Sequence, residues 1–197
     1  MATNVERTRA ARTRILNAAF QSLVDVGYGR TTTNAVMRRA EISRGALLHH
    51  FPTRERLLGA AVEHVFERRL GDFRAAFAEL DSQAADRPRE AVRLLWRIVS
   101  GPTYYAWLEL VVAARTDEVL LAEVRAVMDR FQGLIDATFL ELFPPGDSAG
   151  PDHLAGAAFA FATLNGLAVD RIYQSEEAVA PVRLRLEELS HEVLGAS

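Results

Sequence analysis

Apolar residues return every three or four positions along nearly the whole chain, and sustained two-residue alternation is absent, so the pattern predicts helices and no sheet. The first helix is expected over 5–26, with Ile15, Leu16, Ala19, Phe20 and Leu23 on its buried stripe and Arg7, Arg12 and Arg14 on the opposite side. Gly27-Tyr28-Gly29 should stop it. Thr32 then stands where a hydroxyl can cap a short helix over 33–40, with Val36 and Ala40 turned inward. After a tight turn at Glu41-Ile42, Ser43 caps a third helix over 44–50, which Phe51-Pro52 ends because proline disfavours a helical residue before it. Thr53 opens a long fourth helix running toward residue 80. Five more are expected near 87–100, 102–115, 118–143, 152–174 and 178–194, with a Pro- and Gly-rich loop over 144–151.

The fold class is therefore all-α, with about nine helices. Its informative part is the pair of short helices joined by a two-to-four-residue turn, the helix-turn-helix pattern. In that geometry the first short helix lies across the phosphates and the second enters the major groove with its N-terminal residues toward base edges. The second helix begins Ser43-Arg44-Gly45-Ala46. Arg44 can reach guanine or a phosphate, and Gly45 lets the backbone approach closely. Leu47 and Phe51, four apart, should anchor the helix and leave Arg44, Leu48 and His49 outside.

Charge supports this reading. Residues 1–70 hold 12 Arg against 6 Asp and Glu, a surplus of +6, whereas 71–197 hold 11 against 20, giving −9. A basic head on an acidic body suits a polyanion at the N-terminal end. The absence of cysteine excludes disulfides, zinc-thiolate sites and thiol catalysis. The most apolar run, 154–169, is short for a membrane span and carries Thr163 and Asn165. A cytoplasmic protein with no membrane partner is expected.

The stretch 29–58, GRTTTNAVMRRAEISRGALLHHFPTRERLL, resembles the DNA-binding signature of the tetracycline-repressor (TetR) family. Thr31-Thr32, Val36, Ala40, Ile42-Ser43, Leu47, His50-Phe51 and Arg54 stand at the positions that carry it. The resemblance implies phosphate contacts from Thr32, Ser43, His50 and Arg54, with Arg44 and His49 nearest the bases. Arg38 and Arg39 can add backbone contacts, and Gly45 and Leu48 complete the expected DNA-binding set. Two positions depart from the family pattern. Leu48 replaces a Tyr that contacts the DNA backbone, and Glu41 replaces the Gly of the turn, which is a strained choice if that residue needs a positive φ.

The same resemblance implies a ligand-responsive regulator, commonly a repressor, that binds a pseudo-palindromic operator on double-stranded DNA as a homodimer. Residues 1–58 would form the DNA-binding domain and 59–197 the ligand-binding and dimerisation domain. Val182, Leu186, Leu189 and Val193 make one apolar face on the last helix, and the helix before it is rich in small residues. With Phe159, Ala162 and Gly166 these are the expected dimer interface, two helices per subunit forming a four-helix bundle. Aromatics gather in the middle of the chain, and Trp96, Tyr104, Trp107, Phe131, Phe139 and Phe161, with Glu109 and Asn165 as polar lining, are the expected pocket for a small, largely apolar or aromatic effector. The stretch 107–117, WLELVVAARTD, also resembles a segment common in the family's regulatory domains.

Nothing in the chain points to an enzyme. There is no glycine-rich phosphate loop, no G-x-S-x-G elbow and no H-E-x-x-H. His49 and His50 are adjacent and diverge on a helix, so no metal site and no cofactor is expected. The alternative is a helical protein-interaction module that has lost DNA binding, for which the substitutions at Leu48 and Glu41 are the motive.

Overall fold

The computed structural model describes residues 4–78, 86–144 and 153–194, and its described elements are all helices. They are α1 (Asn4–Arg30), α2 (Thr33–Ala40), α3 (Arg44–His50), α4 (Arg54–Ala78), α5 (Arg87–Val99), α6 (Pro102–Ala114), α7 (Glu118–Leu142), α8 (His153–Asp170), α9 (Glu176–Glu188) and α10 (Ser190–Val193). The expected loop over 144–151 and the expected end of the fourth helix at residue 80 lie almost wholly outside the described residues.

The chain divides into two compact units. Met1–Arg68 with Pro102–Phe131 form the first, and Arg69–Gly101 with Gln132–Ser197 the second. The boundary expected at residue 58 falls inside α4 and inside the first unit.

In the first unit the periodic stripes of α1 to α4 meet those of α6 and α7. Ile15, Leu16, Ala19 and Leu23 of α1 share a core with Val36, Leu47, Leu57, Leu58, Trp107, Leu110, Leu120 and Val124. Phe66 stands at its aromatic end, with ring centroids 5.5 Å from Trp107 and 4.7 Å from Phe131. The short helices are capped as their sequence demands. Thr32 Oγ1 accepts from Ala35 N at 3.2 Å and Ser43 Oγ from Ala46 N at 3.3 Å. Thr53 Oγ1 accepts from Arg56 N at 3.1 Å to open α4. α1 runs four residues past its expected stop, because Gly27 breaks the helix locally at φ 76, ψ 172 and the chain resumes a further turn to Arg30.

In the second unit α5 packs on α8, α9 and α10 through Ala91, Val92, Leu94, Trp96 and Val99. Glu187, 2% exposed, joins α5 to α9, accepting from Arg93 Nε at 2.9 Å and from Arg183. Gly156 brings α8 onto α10, since a Cβ there would lie 1.7 Å from Val193 O. The helix expected over 178–194 begins earlier, at Glu176, with Pro181 inside its first part, and is divided at Leu189.

The turn between α2 and α3 shows what the substitution at Glu41 means. Glu41 N donates to Arg38 O and Ile42 N to Met37 O, the paired bonds of a helix end closed by a left-handed residue. Glu41 occupies that left-handed position at φ 53, ψ 51. A side chain is disfavoured there. Glu41→Gly is expected to stabilise the fold by about 1 kcal/mol, read as a higher urea midpoint at unchanged m-value. A lower midpoint would show that the Glu41 side chain supports the turn.

Candidate nucleic-acid interface

Burial sorts the residues of α2 and α3 into two faces. Val36, Ala40, Leu47 and Phe51 are in the core, whereas Thr32, Arg38, Arg39, Ser43, Arg44, Gly45, Leu48 and His49 are exposed. α3 therefore presents Arg44, Leu48 and His49 outward as its spacing demands, and Leu48 is 47% exposed. A Cβ added at Gly45 would meet nothing within 4 Å, so packing inside this chain does not require glycine there.

The arginines differ in how they are engaged. Arg38 and Arg44 are exposed, make no ion pair among the described residues, and border one shallow groove with Asn34, Met37, Glu41 and Ile42. The Glu41 carboxylate thus stands in the same groove as both cations. Arg39 is held by Asp25 at 2.6 Å, an exposed pair that water and salt weaken. Arg12 lies over the ring of Phe51, 5.6 Å from its centroid.

Arg54 is spent inside the head. Its guanidinium lies 4.1 Å from the centroid of Tyr28, its Nε donates to Thr31 O at 2.7 Å, and its Nη2 donates to Tyr28 O. It stitches the start of α4 to the segment between α1 and α2. Beside the phosphate contact expected of it, Arg54 therefore has an architectural role inside the head. His50 is half-buried, and its pKa lies below the ordinary imidazole value because of burial first, then of the neighbouring His49 and Arg12. A neutral ring contacts a phosphate as an N–H donor rather than as a cation.

The sequence profile of the tetR family of bacterial regulatory proteins matches residues 15–61, which span the core of α1, all of α2 and α3, and the start of α4. An uncharacterized HTH-type transcriptional regulator of Mycobacterium tuberculosis is 33% identical over 152 residues, 76% of this chain and 75% of the relative. The chain belongs to the tetR family. It is a DNA-binding transcriptional regulator. Solved structures agree on the fold of tetR regulators. The multidrug binding protein EbrR complexed with ethidium superposes with a TM-score of 0.63 at 22% identity, covering 89% of this chain and 97% of that one. GusR of Salmonella enterica gives 0.67 at 21%, covering 95% and 96%.

The residues expected to line an effector pocket are divided between the units. Tyr104, Trp107, Glu109 and Phe131 belong to the first unit, and Trp96, Phe139, Phe161 and Asn165 to the second. Trp107 and Phe131 pack on Phe66 as core, and Tyr104 is half-buried beside Tyr105. Burial raises the Tyr104 phenol above its ordinary pKa. Glu109 is exposed, and its carboxylate accepts the Tyr28 N–H rather than facing an apolar interior. In the second unit Trp96 is buried under Arg171, 5.8 Å from its centroid, and Phe139 stacks on Phe143. Among the described residues there is no cluster of His, Asp or Glu fit to hold a metal, and no helix long and apolar enough to cross a membrane.

The role of Arg54 sets a prediction that separates it from a phosphate contact. Arg54→Ala leaves the Tyr28 and Thr31 carbonyls without their charged donor and should cost about 1–3 kcal/mol of stability. Arg54→Lys, which lacks the forked geometry, should recover little of it. Urea denaturation without DNA checks this; unchanged stability in the alanine variant would return Arg54 to the phosphate-contacting set.

Proposed function

We propose that this regulator is a cytoplasmic repressor that binds a pseudo-palindromic operator as a homodimer and releases it when a small, largely apolar or aromatic molecule binds. The observation that carries the reading is the two-faced α3. Its inner residues Leu47 and Phe51 are locked in the core while Arg44, with no ion-pair partner among the described residues, stands at its exposed N-terminal end beside an open Gly45. That is the end a recognition helix presents to base edges. Thr32, Ser43, His49, His50, Arg38 and Arg39 supply the remaining contacts, and Leu48 offers an apolar contact to a thymine methyl.

A single head reads too short a site for specificity, so two are needed. The second unit carries the surface for pairing. Ala155, Phe159, Ala162 and Gly166 are exposed along one side of α8, with Phe159 55% exposed, and Val182 of α9 is 49% exposed. Large exposed apolar side chains beside small ones suit close helix approach. The face expected on the last helix is corrected here. Leu186 is 3% exposed within the chain itself, and Leu189 and Val193 are half-buried, because α9 and α10 pack this side of the stripe on α5 and α8. Val182, with the α8 residues, remains in the proposed interface, and Leu186 does not.

The effector class rests on the aromatic content of α5 to α8 and on EbrR, a structural neighbour complexed with ethidium. A ligand shifts the DNA-binding equilibrium only by its difference in affinity for the two states. In a screen of small aromatic molecules followed by Trp fluorescence, a binder should weaken operator affinity about 5–150-fold, and operator should weaken that binder by the same factor. A tight binder with no coupling in either direction overturns effector release.

Three substitutions test DNA reading and pairing together. Arg44→Ala should cost about 1–3 kcal/mol of binding and relax preference at one or two base positions. Phe159→Arg should give a folded monomer with much weaker operator binding, whereas Leu186→Arg should unfold the second unit by burying an unpaired charge. Sedimentation and gel shift on a duplex selected from a random pool read these outcomes. A wild-type chain that sediments as a monomer at micromolar concentration ends the dimer reading, and one that shifts no duplex favours the protein-interaction alternative.

A further inference from the structure

Glu109 makes a contact that its helix does not need. α6 carries this one carboxylate and no cation along its 13 residues, and Glu109 lies on its exposed side. The carboxylate reaches across to the end of α1, where Oε2 accepts the Tyr28 N–H. The approach is prepared from the other side. Gly27 takes a positive φ of 76, and a Cβ there would lie 2.7 Å from Oε2 and 3.1 Å from Oε1. Glycine at this place thus serves both the backbone conformation and the room for the carboxylate.

From Tyr28 the contacts run straight to the head. The Tyr28 ring and carbonyl hold Arg54, and Arg54 holds Thr31 O. Thr31 Oγ1 donates back to Gly27 O at 2.8 Å, and the next residue, Thr32, caps α2. Glu109 is therefore separated from the first helix of the DNA-reading motif by one closed loop of hydrogen bonds. The link is also easily broken. An exposed carboxylate bonded to one amide exchanges that bond for water at little net cost.

We propose that Glu109 is a positioning residue for DNA binding: its carboxylate fixes the Tyr28 amide, and with it the angle at which α2 and α3 leave α1. This rests on the dimeric operator-binding reading above. Two heads must meet successive major grooves at a set spacing, so freedom in the angle of each head shows as lost discrimination between spacings.

The test uses Glu109→Ala and Glu109→Gln in the full chain, with the duplex that the wild-type protein selects from a random pool, the same duplex with one base pair added or removed between half-sites, and a single half-site. Glu109→Ala should bind the selected duplex roughly tenfold more weakly, discriminate poorly between spacings, and keep wild-type affinity for the half-site. Glu109→Gln keeps an acceptor for the amide and should behave as wild type. Without DNA, the Tyr28 amide should exchange hydrogen faster in Glu109→Ala than in wild type. Glu109→Ala with undiminished spacing discrimination overturns the proposal. So does an equal loss on half-site and full site with a lowered melting midpoint, which marks a merely structural contact. A wild-type protein that selects a duplex but already exchanges the Tyr28 amide rapidly overturns the positioning role alone, while one that selects none overturns the operator reading along with it.

Discussion

A seven-residue helix does not hold its shape in water, because nucleation costs more than so few hydrogen bonds return. α3 exists because Leu47 and Phe51 are driven into a core that α1, α4, α6 and α7 complete. The rest of the head follows from that constraint. Its caps at Ser43 and Thr32, the left-handed turn at Glu41 and the Arg54 stitch all keep a short helix seated on a core it does not itself provide. They also explain why the first compact unit reaches beyond the N-terminal helices: α6 and the first part of α7 are packing partners of the reading head as much as parts of a regulatory body.

How the chain spends its arginines decides how it can meet DNA. The basic surplus of the first 70 residues suggests a broad electrostatic footprint, but part of it is engaged by the protein's own groups. Arg54 serves two backbone carbonyls and an aromatic ring, and Arg39 and Arg56 face carboxylates. Arg38 and Arg44 are the exposed cations of α2 and α3 that no carboxylate engages among the described residues. Since each neutralised phosphate adds to the salt dependence, the footprint on DNA is narrower than the residue count implies.

Local features were legible in the sequence, and distant ones were not. Thr32 and Ser43 cap the helices they precede, Phe51-Pro52 ends α3, and the bounds of α2 and α3 are those expected, because each depends on neighbours within four residues. The helix content and the inner face of α3 follow from periodicity for the same reason. Leu186 shows the limit. Four-residue spacing marks an apolar stripe, but whether the chain itself or a second copy covers it depends on α5 and α8, far away in sequence. The internal contacts of Glu109 and Arg54 were hidden for a related reason. A carboxylate amid apolar residues reads as pocket lining until Gly27, 82 positions earlier, is seen to make room for it.

The two departures from the family pattern act in opposite directions, and that opposition gives them meaning. Glu41 strains the turn and sets a negative charge in the groove that Arg38 and Arg44 border, which weakens attraction to any phosphate there. Leu48 removes a hydroxyl and leaves a large apolar side chain nearly half exposed on α3. Under the proposed docking, electrostatic attraction that serves all sequences is reduced, while a contact that favours a thymine methyl over other base edges is gained. A head built this way loses affinity for DNA in general faster than for its own site, so the substitutions that seem to weaken the motif raise the ratio by which it discriminates.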